Sequence, residues 1–405
     1  MIVNQRILEA ALASILIFTL LSIFRVNNQL ILTLVAFLLL IFILLSLKSF
    51  LKIGGTGLKL RIYCLVAIAI TFHGYLLTSA VVARLGDPKY SVHDGTLITE
   101  ESYRQLMQGK NPYSISYEAL YLNQVDYLDK VAHNELDRNS YSPLAFLINF
   151  PAFVLTERIF GLIDMRIFSV MSLFIAAFLL LPIIGEKVLF LIIFLFNPVF
   201  AKSIYFGAND VFILLLLCAS VFFLYFRRLE MATVAVALGS STKLLFLPFV
   251  PLYFLFIIFT KKGERGLFIF KNMAIFVIVC TIVYLPFIIW NPGDFFDDVF
   301  IYNLFGGDLG RPIAGFVGTA QILNKFGLIS ENNAFPFFLL VIPLSVIFLS
   351  YGVTILRKFA TLPLLVFLYA VLFIIVFSFS RIVQSDYLTF ISQVLVLSAF
   401  LKDKG

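Results

Sequence analysis

Leu30-Ile-Leu-Thr-Leu-Val-Ala-Phe-Leu-Leu-Leu-Ile-Phe-Ile-Leu-Leu-Ser-Leu47 carries no charged side chain, and its only side-chain polar groups are the hydroxyls of Thr33 and Ser46. A helix over this stretch is about 27 Å long, close to the thickness of a bilayer's hydrocarbon core. It satisfies its own backbone N–H and C=O groups, as a chain surrounded by hydrocarbon must. Runs of the same kind recur at Ile7–Phe24, Ile62–Ala83, Ile167–Ile184, Val188–Ile204, Val211–Phe226, Phe268–Trp290, Phe335–Leu356, Leu362–Phe379 and Tyr387–Leu401. Pro143–Phe160 and Met231–Phe259 are less regular. The expectation is an all-α, polytopic bundle of about 10–13 transmembrane helices, forming one integral membrane domain over residues 1–405.

Composition agrees: 61% of residues are hydrophobic and 13% charged, against roughly half and a quarter in soluble domains. The net charge of +7 does not indicate nucleic-acid binding, because Lys and Arg sit in short segments between apolar runs, where membrane orientation explains them. Cys64, Cys218 and Cys280 lie inside apolar runs at spacings that suit neither a disulfide framework nor a zinc site. The first apolar run has no small-residue cleavage pattern behind it and reads as a retained helix.

Four basic clusters are expected on the cytoplasmic side: Lys48/Lys52/Lys59/Arg61, Arg227/Arg228, Lys261/Lys262/Arg265/Lys271 and Arg357/Lys358. An outer loop over 84–142, the Gly207–Asp210 turn, a second outer loop over 291–333 and the joint around Arg381 then share the opposite face. An even number of crossings must separate Ser142 from Gly207, yet three apolar runs lie between them. Pro143–Phe160, with two prolines, is therefore expected to be short or re-entrant. By the same parity the chain enters and returns, or enters only partway, between Arg228 and Lys261, with Lys243 at the reversal. Broken segments at membrane depth require protein or a polar cavity around the freed backbone groups, so both point to one polar cavity opening outward.

Within the first outer loop, Thr99–Gln108 is expected to be an amphipathic helix. Glu100 and Glu101 favour its first turn, Gly109 stops it, and Leu97, Ile98, Leu106 and Met107 are able to lay it on the membrane. Asp94 stands just ahead, either as a solvated loop aspartate or as a functional carboxylate. Asp210, which opens a helix after Asn209, is either an N-cap or functional. Lys243, in Gly239-Ser-Ser-Thr-Lys-Leu-Leu-Phe-Leu-Pro248, is the sharpest signal: a buried ammonium costs about 2.5–3.5 kcal/mol on insertion scales and needs a partner. That partner is Asp210 or an anionic group of a substrate. Arg381, Gln384 and Asp386 form a further polar cluster before Tyr387, read as an interfacial anchor or a phosphate site.

The order Asp94, Gly109-Lys-Asn-Pro-Tyr113, Tyr141-Ser-Pro-Leu-Ala, Asn197-Pro, Gly207-Ala-Asn-Asp210, Lys243 before Pro248 and a late Arg-to-Tyr joint resembles the GT-C superfamily of polyprenyl-phosphate-sugar-dependent glycosyltransferases. It is most similar to the mannosyltransferases that add the first mannose in GPI-anchor assembly and to their prokaryotic relatives. The likeness is carried by 86–248 and elsewhere by topology alone. It implies transfer of mannose, or another hexose or pentose, from a polyprenyl-phosphate carrier to a glycan, lipid or protein acceptor, at the outer face of a prokaryotic cell membrane. On this reading Asp94, Glu101 and Asp210 are the catalytic candidates, with Asp94 as general base in an inverting transfer. Tyr113, Asn209, Lys243, Arg311, Arg381 and Tyr387 are the substrate-binding candidates. The resembling enzymes carry Asp-x-Asp where this chain has His93-Asp94-Gly95, so a divalent metal is left open and no cofactor is assigned. The competing reading from another class is a lipid or glycan flippase, for which a matched internal repeat is lacking. A third is a non-catalytic assembly subunit.

Overall fold

A computed structural model describes residues 2–50, 57–86, 92–117, 138–260, 265–305, 314–315, 318–330, 336–380, 382–383 and 385–402. It is a helical bundle. Its helices are α1 (Ile2–Ile23), α2 (Gln29–Phe50), α3 (Gly57–Gly86), α4 (Asp94–Met107), α5 (Leu144–Leu147), α6 (Phe150–Phe160), α7 (Met165–Leu180), α8 (Lys187–Leu195), α9 (Pro198–Phe206) and α10 (Asp210–Tyr225). There follow α11 (Leu229–Ser240), α12 (Phe249–Thr260), α13 (Arg265–Trp290), α14 (Pro292–Phe296), α15 (Tyr302–Phe305), α16 (Thr319–Lys325), α17 (Phe338–Lys358), α18 (Leu362–Ser378) and α19 (Ser385–Phe400). Five of these, α1, α2, α3, α13 and α17, are long and apolar enough to cross a membrane, and α8 with α9 makes a sixth if the 45° bend between them lies within one span. The other apolar helices are shorter than the sequence runs suggested. Exposed Leu267, Phe270, Ile282 and Ile289 on α13 give that helix a surface suited to lipid rather than water.

Polar contacts fix which helix ends lie together. At one end Gln5 donates to Glu186 at 2.7 Å, Arg61 pairs with Glu9, Lys402 N donates to Ile183 O, and Lys271 meets Glu230 at 3.0 Å. At the other, Arg84 reaches Glu100 and Asp164, Thr96 donates to Gly207 O, and Asn291 donates to Ser114. The described members of the basic clusters gather at the first end, and 92–117, 138–163 and 207–210 at the second. The segment from Pro143 to Phe160 stays at the second end as two short helices, as parity required. Its Phe150 and Phe153 pack on Tyr103 of the loop helix.

Two breaks in the bundle are satisfied internally. Pro198 ends the continuous ladder between α8 and α9, which frees the carbonyls of Phe194 and Leu195. Gln393 Nε2 donates to the first at 3.2 Å, and His73 Nε2 to the second at 2.9 Å. Asn197 caps α9 by accepting from Val199 N and Phe200 N. The second break follows α11, where a short 3₁₀ turn over Leu244–Phe246 leads into α12. Tyr253 on α12 returns to touch Thr233 and Leu229 O at the start of α11, so the chain reverses at Lys243. Tyr284 donates to Ser240 O, and α13 continues beyond Tyr284 to Trp290, about 9 Å at 1.5 Å per residue. Lys243 therefore sits below this second end of the bundle, not at its surface.

The loop helix departs from expectation. It begins at Asp94 rather than Thr99, because His93 caps it with Nδ1 accepting from Gly95 N; Glu100 and Glu101 then fall in its middle. Of its four apolar positions only Met107 stays exposed, and the rest lean on protein. Leu97 and Ile98 are buried, Leu106 is half-buried, and Glu100 is sealed in a buried charge network with Arg84, Asp164 and Arg166. The Gly109 stop is as expected, with a left-handed φ of 72° and Lys110 N donating to Gln105 O. Ala314–Gly315 pairs in parallel with Ile382–Val383, which ties the segment between α15 and α16 to the joint before α19.

Candidate functional site

Lys243 stands where the chain turns back on itself, with its stem among apolar helices and its ammonium needing a countercharge. It finds Asp210 Oδ1 at 2.6 Å and Asn209 Oδ1 at 3.1 Å, and lies 5.2 Å above the centre of the Tyr387 ring. The carboxylate of Asp210 pairs with the ammonium rather than capping α10. Asp386, next to Tyr387, is within electrostatic range of both Asp210 and Lys243, and His93 Nε2 is 3.5 Å from Asp386 Oδ2. His93 N also donates to Phe206 O at 2.7 Å. Thus 93, 209–210, 243 and 386–387, drawn from four separated segments, meet at one place.

Burial is uneven across this cluster. The Asp210 side chain is 1% exposed, whereas Lys243 retains 15%. Asp210 Oδ2 and Asn209 Nδ2 are buried and have no hydrogen-bond partner among the described residues. Buried polar groups are nearly always paired, so this acceptor and this donor call for a partner beyond the described side chains.

Close approach of the loop helix to this turn depends on Gly207. Its φ is +92°, and a Cβ there would fall 2.2 Å from Thr96 Oγ1. Only glycine permits both the conformation and the contact. Through Thr96 and His93 the loop helix, with Asp94 as its first residue, is held against the Gly207–Asp210 turn.

Among the other sequence candidates, Glu101 is engaged on its own helix by Arg104 and Gln105. Tyr113 is buried in an aromatic cluster with Phe146, Phe287 and Phe295 and donates to Tyr141 O at 2.8 Å; burial raises its phenol well above the usual range. It anchors its loop and does not join the Lys243 cluster. Burial likewise pushes the Glu100 carboxyl up, against the pull of Arg84. The Asp94 side chain, Arg311 and Arg381 lie outside the described residues. Among the described residues no group of three or more His, Cys, Asp or Glu is arranged to hold a metal ion. His93 is a member that sequence reasoning did not assign to the site, and Asp386 was read only with Arg381 and Gln384, as an interfacial anchor or a phosphate site. An acidic residue opening an apolar helix beside Tyr387 was the available signal.

No family model matches this chain, and no curated protein does either.

Proposed function

We propose that this protein is a membrane glycosyltransferase that moves a sugar from a polyprenyl-phosphate carrier to an acceptor hydroxyl, in a prokaryotic cell membrane with the Lys243 end of the bundle outward. The observation that carries the reading is the meeting of Lys243 with Asn209–Asp210, His93 and Asp386–Tyr387 beneath the helix that Asp94 opens. A lipid-linked phosphate lies at the membrane surface while its tail needs apolar surroundings, and a cation recessed below the end of an apolar bundle suits both. In the reaction the acceptor oxygen attacks the anomeric carbon as its proton passes to Asp94, acting as general base. The bond from that carbon to the phosphate oxygen breaks, and the phosphate leaves with the electron pair. Lys243, oriented by Asp210, and Arg381 stabilise the growing negative charge, a role fixed cations perform well in a site sheltered from water. The sugar is transferred with inversion.

Sugar transfer from a synthetic polyprenyl-phosphate mannose by the purified protein in detergent, with donor binding followed separately, tests this. Asp94→Asn is expected to retain donor binding and lower turnover about a hundredfold or more. Carrier-sugar translocation with no bond broken, under conditions where the donor binds, would replace the enzyme by a flippase. Unchanged turnover in Asp94→Asn would transfer the base role to another carboxylate.

A further inference from the structure

The Gly109-Lys-Asn-Pro-Tyr113 segment divides its residues between two faces. Tyr113 is buried in the aromatic cluster, whereas Lys110 and Ser114 remain exposed. They line a cleft of about 420 Å³ with Gly109, Asn111, Trp290 and Asn291. The volume falls in the range of small-molecule sites, roughly 300–1,000 Å³. Asn291 Nδ2 donates to Ser114 Oγ at 3.0 Å, so the loop is fastened to the outer end of α13 and the cleft is a formed feature.

Its chemistry is particular. Trp290 is 46% exposed and offers an apolar face with a polar N–H. Around it stand the Lys110 ammonium, the Asn111 amide, the Ser114 hydroxyl and the Ile115 side chain, while the Asn291 amide is engaged by Ser114 and Asp294. Asn111 is 6% exposed; its Oδ1 accepts from Tyr113 N at 3.1 Å, while its Nδ2 is buried without a partner among the described residues. An indole at the membrane interface needs only headgroups near it, and would not explain an unpaired amide donor beside it. A sugar ring has an apolar C–H face for the indole and a rim of hydroxyls for the Asn111 amide and the Lys110 ammonium.

We infer that this cleft is a saccharide-binding site that receives the sugar of the acceptor. Its role as the acceptor's site rests on the proposed transferase activity; its capacity to bind sugar does not. Tyr141 joins it to the candidate catalytic residues: its carbonyl receives the Tyr113 hydroxyl, and its own hydroxyl lies against Gly95, 2.3 Å from where a Cβ would stand. The cleft thus shares one loop scaffold with Asp94.

Trp290 is the only tryptophan in the chain, so its emission reports on this cleft. The full-length protein in detergent is titrated with methyl α-mannoside, methyl α-glucoside, methyl arabinoside and a mannotriose, and in a parallel arm with a synthetic polyprenyl-phosphate mannose. A saturable emission change with at least one free saccharide is expected. Asn111→Asp, which keeps the acceptor for Tyr113 N and removes the donor, is expected to weaken half-saturation about fivefold, the effect of one hydrogen bond. Lys110→Met, at an exposed position, should weaken it in the same direction. No saturable response to any free saccharide overturns the site, as does a response that neither variant weakens. A response to the polyprenyl-phosphate sugar alone overturns the acceptor assignment. Saccharide binding without transfer leaves the cleft standing and removes the transferase reading.

Discussion

At the scale of single residues the decisive pair is Lys243 and Asp210. A buried ion pair contributes little net stability, but removing one partner strands the other charge at a cost of about 3–5 kcal/mol. Lys243→Met is therefore expected to lower thermal stability in detergent markedly and to weaken both donor binding and turnover. Adding Asp210→Asn should recover most of the stability, because the stranded carboxylate is gone, without restoring turnover. A Lys243→Met protein with wild-type melting and transfer would remove the pair from both roles. Lys243→Arg is not expected to rescue activity, since a planar fork fits poorly in a site shaped around a compact ammonium. The need for a partner was legible in the sequence, because an ammonium inside an apolar run demands one, with Asp210 or an anionic group of a substrate as the two readings. The parts played by Asp386 and His93 were not, since each looks like an ordinary loop or anchor residue until the loop helix and α19 meet.

At the scale of elements, the bend between α8 and α9 is held by groups from two other helices. His73 Nε2 serves Leu195 O, and its Nδ1 lies 2.7 Å from the Tyr205 hydroxyl; Gln393 serves Phe194 O. His73→Leu should cost about 1–3 kcal/mol by leaving a buried carbonyl unpaired, and Gln393→Leu a similar amount. Thermal unfolding of both variants checks this, and a His73→Leu protein as stable as wild type would show that the bend needs no cap from α3. The sequence showed a single apolar run over Val188–Ile204, with Asn197-Pro standing only in the family resemblance, so both the break at Pro198 and the groups that serve its freed carbonyls emerge from the packed structure, His73 lying far away along the chain. In the same way Arg84 and Glu100 read separately as a loop boundary and a helix-dipole residue. Only packing joins them with Asp164 and Arg166 into the network that seats α4.

For the whole molecule, the two ends of the bundle differ in charge and in loop length, and the preference of Lys and Arg for cytoplasmic loops is the reason the basic end is expected to face the cytoplasm. Single cysteines at Lys110 and Asn291 are expected to react with a membrane-impermeant maleimide on intact cells, and cysteines at Arg228 and Lys358 only after lysis. Labelling of Arg228→Cys from outside would reverse the orientation and with it the location of the site. Native Cys64 and Cys218 are buried and contribute little background.

The linear pattern of apolar runs, prolines and cations was enough to determine a helical bundle, the gathering of its polar segments at two ends, the shortness of the Pro143–Phe160 helices and the reversal at Lys243. Each follows from a local rule: a run either is or is not apolar enough to be surrounded by lipid, and crossings must alternate. Which side chains meet was decided by the tertiary structure alone. His93 reaches Asp386 across nearly three hundred residues, Tyr113 turns into an aromatic cluster while its neighbours line a cleft, and α4 starts where His93 caps it. These outcomes depend on distances between helices set by packing the whole bundle, and periodicity along the chain carries no information about them.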